Sequence, residues 1–150
     1  MGSTSMSIET NKVLVRRHIE MLDRKDLRGV IATCAPDAIF HGLAPGPLCV
    51  GEYRHAMAHF LSTFPDARFL IGDMVAEGEK VALRCTIRGT HRVALRNRKK
   101  SAHRAPAVAM PVISIIHIVG DQVAEVWIHA DLPGLRPPVS PVPTMKWASV

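Results

Sequence analysis

The spacing of apolar residues changes once along the chain, and this change constrains the fold more than any other feature. In the first half apolar side chains recur every three or four residues, as in Val15, Ile19 and Leu22, which predicts an amphipathic helix over about residues 8–24. In the second half, segments rich in Val and Ile indicate strands. Helices followed by long antiparallel strands are typical of an α+β domain whose curved sheet wraps over helices packed on one face.

Turn-forming residues divide the chain further. Asp26 is placed to cap a short second helix that continues to Cys34 and is ended by Pro36, and residues 37–41 form a brief predicted strand. After a loop rich in Gly and Pro, Tyr53 begins a helical repeat that ends at Pro65. Four longer strands are predicted: 68–76, 81–91, 107–119 and 122–130.

The length favours one domain, because 150 residues of which 47% are apolar can fill a single core. We expect a disordered or expression-derived tail at 1–6, the domain at 7–132, and an extended proline-rich arm at 133–150. No stretch reaches the roughly 20 apolar residues that cross a bilayer. Three cysteines with no paired short spacing argue against a disulfide framework, so a cytoplasmic location is expected.

The net charge of +6 comes from one segment. Residues 92–104 hold six Lys and Arg and no acid, and without these six the chain has 13 bases against 13 acids. A wholly basic nucleic-acid coat is therefore excluded. The segment lacks Phe and Tyr for base stacking and joins two strands, so it is interpreted as a solvated hairpin. The functional alternative is contact with an anionic partner, or a lid over an acidic ligand.

The last predicted strand contains most of the candidate functional residues. Alternation places one set of side chains on a single face: Val123, Glu125, Trp127, His129 and Asp131. The other face is apolar: Ala124, Val126, Ile128 and Ala130. This pattern predicts a polar-lined cavity against the first face and a partner sheet or subunit, hence a homodimer, against the second.

The register of the last hairpin decides which residues share that cavity. A two- or four-residue loop at Gly120-Asp121 pairs Ser114 with Trp127, Val112 with His129 and Met110 with Asp131. A carboxylate against such an apolar wall has a raised pKa, as a proton-transfer residue requires near neutral pH. The alternative for Asp131 is a turn residue, because Asp-Leu-Pro-Gly is good turn chemistry. A three-residue loop would reverse the faces.

Four other histidines are candidate site residues, and each has a functional and a structural interpretation. His41 and His91 reach the same cavity if their strand faces point inward, and are ordinary buried or rim histidines otherwise. His55 and His59 have the i, i+4 spacing of a metal pair, but no third ligand is evident, so we predict no metal. No phosphate loop, nucleophile elbow or dinucleotide fingerprint occurs, so no nucleotide cofactor is expected.

Three motifs carry a resemblance to a known family. They are Phe-Pro-Asp at 64–66, Gly-Thr-His at 89–91, and a Trp-x-x-x-Asp-x-x-Gly-Leu spacing at 127–135. Together with VRRHIEMLDRKDL in the first helix, they make the chain similar to SnoaL-like polyketide ester cyclases of the nuclear-transport-factor-like superfamily. The resemblance covers nearly the whole chain. It departs at HRVALRNRKKSAHRAP, where a glycine-rich hairpin is usual, and at RPPVSPVP after the last Gly-Leu.

The resemblance implies a cone-shaped α+β barrel of three helices on a strongly curved sheet, a dimer through that sheet, and a cofactor-free pocket. Asp131 matches the acidic residue that acts as general acid/base in an intramolecular aldol ring closure. We expect His129 as a hydrogen-bond donor or proton partner. The expected substrate contacts are Trp127, His91, His41, Tyr53, Ser114 and Met110.

The predicted function is thus proton abstraction next to a carbonyl of a hydrophobic cyclic substrate. Because this superfamily also hosts non-catalytic proteins, the alternative is a small-molecule-binding or interaction domain of the same fold. Nucleic-acid binding through the basic segment is a third class and is not expected; it would show steep salt dependence.

Overall fold

The computed structural model describes residues 7–97 and 107–130. Asp131 and most of the basic segment, together with the predicted tail and proline-rich arm, lie outside the described residues. Within the described part, no helix is long and apolar enough to cross a membrane.

The first three helices form close to where the sequence predicts them. They are α1 (Ile8–Asp23), α2 (Leu27–Ala32) and α3 (Val50–Thr63). The predicted cap is confirmed, because Asp26 Oδ1 accepts a hydrogen bond from the Gly29 N–H at 2.9 Å. The expectation that Cys34 belongs to α2 was wrong. That helix ends at Ala32, where the Thr33 N–H bonds back to the Val30 carbonyl at 3.1 Å and tightens the last turn.

Five strands form one sheet in the order β1-β5-β4-β3-β2. They are β1 (Cys34–His41), β2 (Arg68–Glu77), β3 (Lys80–Gly89), β4 (Val108–Val119) and β5 (Gln122–Ala130). All neighbours are antiparallel except β1 and β5, which are parallel. The predicted α+β class, with N-terminal helices on a mainly antiparallel sheet, is confirmed. The sheet is not closed, and β1 and β2 form its edges.

The expectation of a hairpin after β3 was wrong for its first residues. β3 ends at Gly89, and Arg92–Asn97 form a short helix, α4. Arg, Ala and Leu favour helix in this stretch. The Thr90 N–H donates to Asp66 Oδ1 at 2.7 Å, which holds the chain where it leaves the sheet. His91 is therefore not a β3 residue, contrary to the prediction.

The core lies between the helices and one face of the sheet. Val81, Leu83, Cys85 and Ile87 of β3 alternate inward, as do Met110, Val112, Ser114, Ile116 and Ile118 of β4. On β1, Phe40 is completely buried. The chain then turns at Gly42, whose φ of +100° favours glycine, and a Cβ there would overlap the Ile128 carbonyl oxygen.

A bulge in β5 sets the faces of the last strand. The hairpin has the predicted two-residue loop, and Val119 pairs with Gln122 and Ile118 with Val123 as expected. The next pair is His117 with Glu125, so Ala124 is an extra residue. Because side chains alternate with period two, this one-residue shift reverses the faces of the later described residues of β5. Val126 and Ile128 face inward, while Trp127 and His129 face outward.

Candidate active site

A cavity of about 60 Å³ lies between the helices and the inner face of the sheet. Its wall is almost entirely apolar, and among the described residues that line it none carries a charged side chain. The lining residues with polar side-chain atoms are His18, Tyr53, Ser114 and Cys85. The apolar wall is formed by Val15, Ile19, Leu22, Leu43, Met57, Phe69, Leu83, Ile87, Val112, Ile116, Val123, Val126 and Ile128. This volume holds a few water molecules, and the cavity is partly open to solvent, so a larger ligand would extend beyond it.

Four groups form a hydrogen-bonded chain from the cavity into the helical layer. Tyr53 Oη lies 3.1 Å from His18 Nε2, and His18 Nδ1 lies 2.7 Å from Thr33 Oγ1. The Thr33 hydroxyl in turn donates to the Val30 carbonyl at 2.6 Å. α1 supplies the histidine, α3 the tyrosine, and the end of α2 the other two groups. The chain therefore ties three helices together beneath the cavity.

Burial keeps this chain uncharged. It lowers the pKa of His18 to about 4, so the imidazole is neutral at pH 7. It also raises the pKa of Tyr53 far above its ordinary value, so the phenol keeps its proton. The Tyr53 ring is held by Phe40, which stacks on it with centroids 3.8 Å apart and planes 3° from parallel. The position of the phenol oxygen is thus fixed both by the stacking of the Tyr53 ring on Phe40 and by the hydrogen bond to His18.

Ser114 and Cys85 are the remaining polar groups of the wall. Ser114 is only 6% exposed, and no hydrogen bond joins its hydroxyl to a described residue. Because Ser114 lines the cavity, a ligand atom can accept a hydrogen bond from its hydroxyl. Burial raises the pKa of the Cys85 thiol to about 11, so it remains protonated.

The structure brings some predicted site residues to the cavity and places others elsewhere. Tyr53 and Ser114 line it. Met110 is buried on the inward face of β4 but is not part of the wall. Asp131 lies outside the described residues, directly after the end of β5. The predicted pairs of Ser114 with Trp127 and of Val112 with His129 were wrong, because the Ala124 bulge pairs them with Ile128 and Ala130.

Trp127, His41 and His129 lie on the outer face of the sheet, so the expectation that they line the cavity was wrong. His41 Nε2 pairs with Glu125 Oε2 at 2.6 Å, and the His41 ring stacks on Trp127 with centroids 5.4 Å apart. His129 is exposed. The bulge in β5 explains why Trp127 and His129 face outward. His41 of β1 pairs with Trp127, so it faces outward as well.

His91 does not reach the cavity either. It is exposed after the end of β3, with its ring edge against Phe64 at 5.7 Å. His55 and His59 are exposed on α3. Within residues 7–97 and 107–130, no three His, Cys, Asp or Glu side chains are grouped to hold a metal ion.

Sequence reasoning missed the role of two residues in this site, His18 and Thr33. The signal for His18 is a histidine within the apolar stripe of α1, at a position that the helix buries. For Thr33 there is no comparable signal, because its partner His18 is 15 residues away.

The comparisons with known proteins agree with this architecture. A family model described as SnoaL-like polyketide cyclase matches residues 12–137, which is most of the chain. The chain belongs to the SnoaL-like polyketide cyclase family. Among curated proteins, none matches the chain significantly.

Solved structures of low sequence identity share the fold of this family. AclR from Streptomyces galilaeus, provisionally assigned as a hydroxylase, is 23% identical with a TM-score of 0.72, covering 86% of this chain and 83% of that one. IdmH from Streptomyces antibioticus, provisionally assigned as a polyketide cyclase, is 20% identical with a TM-score of 0.70, covering 83% and 94%. A SnoaL-like protein from Jannaschia sp. CCS1, also provisionally assigned as a cyclase, is 17% identical with a TM-score of 0.67, covering 87% and 92%.

Proposed function

We propose that the protein is a cofactor-independent acid/base enzyme that abstracts a proton next to a carbonyl of a hydrophobic cyclic molecule, in an aldol-type cyclisation or isomerisation. The observation that supports this is the cavity, which is apolar apart from His18, Tyr53, Ser114 and Cys85. In such a wall, polar contacts to a substrate are strengthened because water is excluded.

Asp131 is the proposed base, on its match to the acidic residue of the family. Its carboxylate takes the proton from the carbon next to the carbonyl, and the electron pair of that C–H bond forms an enolate. Ser114 is the proposed hydrogen-bond donor to the enolate oxygen. In a cyclisation the enolate carbon then bonds to a second carbonyl carbon, and the resulting alkoxide takes the proton back from Asp131. His129, exposed on the outer face, has no part in this proposal.

Asp131→Asn tests the proposed base. The probe is 2-indanone, a bicyclic ketone whose acidic C–H exchanges with D₂O, followed by proton NMR. We expect the unchanged protein to accelerate exchange, and the variant to lose about a hundredfold of that rate because the amide does not accept the proton. Binding of 2-indanone, measured by saturation-transfer NMR, should persist in the variant.

Asp121→Asn is the matched control, because Asp121 is exposed in the turn before β5, away from the cavity wall. It should exchange 2-indanone at the unchanged rate. Equal rates in the Asp131 variant and the unchanged protein would contradict the assignment. Binding without accelerated exchange in either form would instead favour the alternative, a non-catalytic small-molecule-binding domain.

We also propose that a second copy of the chain covers the outer face of the sheet. Ile115 lies between Ala82 and Trp127 on this face, and nearby Val75 and Ile113 are 64% and 54% exposed. Several polar side chains on the same face have partners there: Arg84 pairs with Asp73, His41 with Glu125 and His117 with Glu79, and Lys80 lies over the Trp127 ring at 6.0 Å. An exposed apolar patch bordered by side chains that have polar partners suits burial in a homodimer.

Ile115→Lys is expected to convert this dimer to a monomer, because it places an unpaired charge in the centre of the proposed interface. Sedimentation velocity measures the change. Val13→Lys, at a position 63% exposed on α1, is the control and should stay dimeric. A monomeric unchanged protein would refute the interface.

A cytoplasmic location is part of the same proposal. All three cysteines are free, and two of them are buried thiols. This suits a reducing compartment.

A further inference from the structure

The directions of the hydrogen bonds that run from Val30 through Thr33 and His18 to Tyr53 are fixed from the Val30 end. A carbonyl oxygen only accepts, so the Thr33 hydroxyl must donate its single proton to the Val30 carbonyl, 2.6 Å away. Thr33 Oγ1 then accepts from His18, which requires the proton on Nδ1. With its pKa lowered to about 4, the imidazole holds only that one proton, so Nε2 is an acceptor.

Tyr53 is the last member of this chain. Its hydroxyl donates to His18 Nε2 at 3.1 Å, so its proton is already used. Stacking on Phe40 keeps the ring in this orientation. What Tyr53 offers to the cavity is therefore an oxygen lone pair, which only a hydrogen-bond donor can satisfy.

The reverse direction is disfavoured by geometry. It would require the Thr33 proton to point at His18 Nδ1, which leaves two oxygen atoms 2.6 Å apart with no hydrogen between them. That separation is within the range of an O–H···O hydrogen bond and is repulsive without the proton.

Ser114 offers the complementary group. Its hydroxyl lines the same cavity, is buried, and makes no hydrogen bond to a described residue, so its proton is free for a ligand acceptor. Tyr53 Oη can thus only accept a hydrogen bond from a ligand, whereas the Ser114 hydroxyl can donate one.

We propose that the cavity selects an uncharged molecule with both a hydroxyl, which donates to Tyr53 Oη, and a carbonyl, which accepts from Ser114 Oγ: a hydroxy ketone or its enol. This inference rests on the proposed function in taking the cavity as the substrate site. It names the substrate class, and it makes Tyr53 a specificity-determining residue. An anionic ligand is disfavoured because the described cavity wall has no positive charge to compensate it.

Small aromatic probes test the two contacts separately by saturation-transfer NMR. The probe p-cresol donates a hydrogen bond, 4-fluorotoluene has nearly the same shape without a donor, and 4-methylbenzaldehyde only accepts. We expect p-cresol to bind about tenfold more tightly than 4-fluorotoluene. Tyr53→Phe should remove that preference and leave 4-methylbenzaldehyde unaffected, whereas Ser114→Ala should weaken 4-methylbenzaldehyde alone.

Two results would overturn the inference. One is a Tyr53→Phe variant that loses affinity for 4-methylbenzaldehyde rather than p-cresol, since Tyr53 would then be a donor. The other is the absence of any preference for p-cresol in the unchanged protein, including a failure of p-cresol to bind.

The tautomer of His18 gives a measurement that needs no ligand or catalytic variant. Long-range ¹H–¹⁵N NMR should show a neutral imidazole with its proton on Nδ1, assigned by its shift in Thr33→Val. A proton on Nε2 would overturn the inference.

Asp131→Asn should retain the preference for p-cresol over 4-fluorotoluene. A failure of the proposed base is therefore distinguishable from a failure of the proposed selectivity.

Discussion

Phe40→Ala is expected to lower the free energy of unfolding by about 3–5 kcal/mol, the usual cost of removing a buried phenylalanine ring. Phe40 is 0% exposed and lies on the inward side of β1. Its ring also stacks directly on Tyr53. The substitution therefore leaves a void in the core and removes the surface that orients the phenol.

Urea denaturation followed by circular dichroism measures this loss. Val13→Ala, at an exposed position of α1, is the control and should change stability by less than about 0.5 kcal/mol. Phe40→Leu separates the two effects, because it refills part of the volume without restoring the ring stack. A loss below about 1.5 kcal/mol in Phe40→Ala would contradict the packing described for the inner face of β1.

Acidification from pH 7 to pH 4 is expected to cost about 3 kcal/mol of stability through His18 alone. The folded protein holds the pKa of His18 at about 4, against an ordinary value of 6.5. At a pH between 4 and 6.5, His18 binds a proton in the unfolded chain but not in the folded protein. Stability is therefore complete above about pH 6.5 and falls as the pH drops towards 4, where the loss levels off.

His18→Gln tests this assignment, because glutamine can hydrogen-bond to Tyr53 and Thr33 but does not titrate. Urea denaturation at steps from pH 7 to pH 4 should give a flatter profile in the variant, whatever its stability at pH 7. Titration of Asp23 does not interfere with this comparison of pH profiles. Burial raises the pKa of its carboxyl, but hydrogen bonds from the Phe69 N–H and from Arg68 lower it, and the net pKa lies below the ordinary 3.8. The stability that Asp23 contributes is therefore lost at lower pH. An unchanged slope in His18→Gln would contradict the role of His18.

Most of the fold was predicted from local sequence patterns, because helices, helix caps and strands depend mainly on residues that are neighbours in the sequence. The helical spacing placed α1 within one residue of its observed end, and Asp26 was identified as a cap from its type and position. The strand 122–130 has the predicted bounds. Local patterns failed at residues 92–97, where the preceding strand suggested a hairpin and the chain instead forms α4.

The candidate site was predicted only in part, because its geometry depends on pairing between distant segments. Tyr53 and Ser114 were identified as lining residues. The extra residue at Ala124 leaves no mark in the alternation of β5, yet it places Trp127 on the outer face and Ile128 on the inner one. The contacts of His18 with Thr33 and Tyr53 span 15 and 35 residues, so no spacing rule reveals them.

The sequence by itself determined the α+β class, the order and approximate bounds of the elements, and the position of the excess positive charge in residues 92–104. These follow from side-chain periodicity and composition, which are local. Only the tertiary structure decided which face of β5 meets the cavity and in which direction hydrogen bonds run from Tyr53 to Val30. Both depend on one bulge and on side chains that meet only when three helices pack over the sheet.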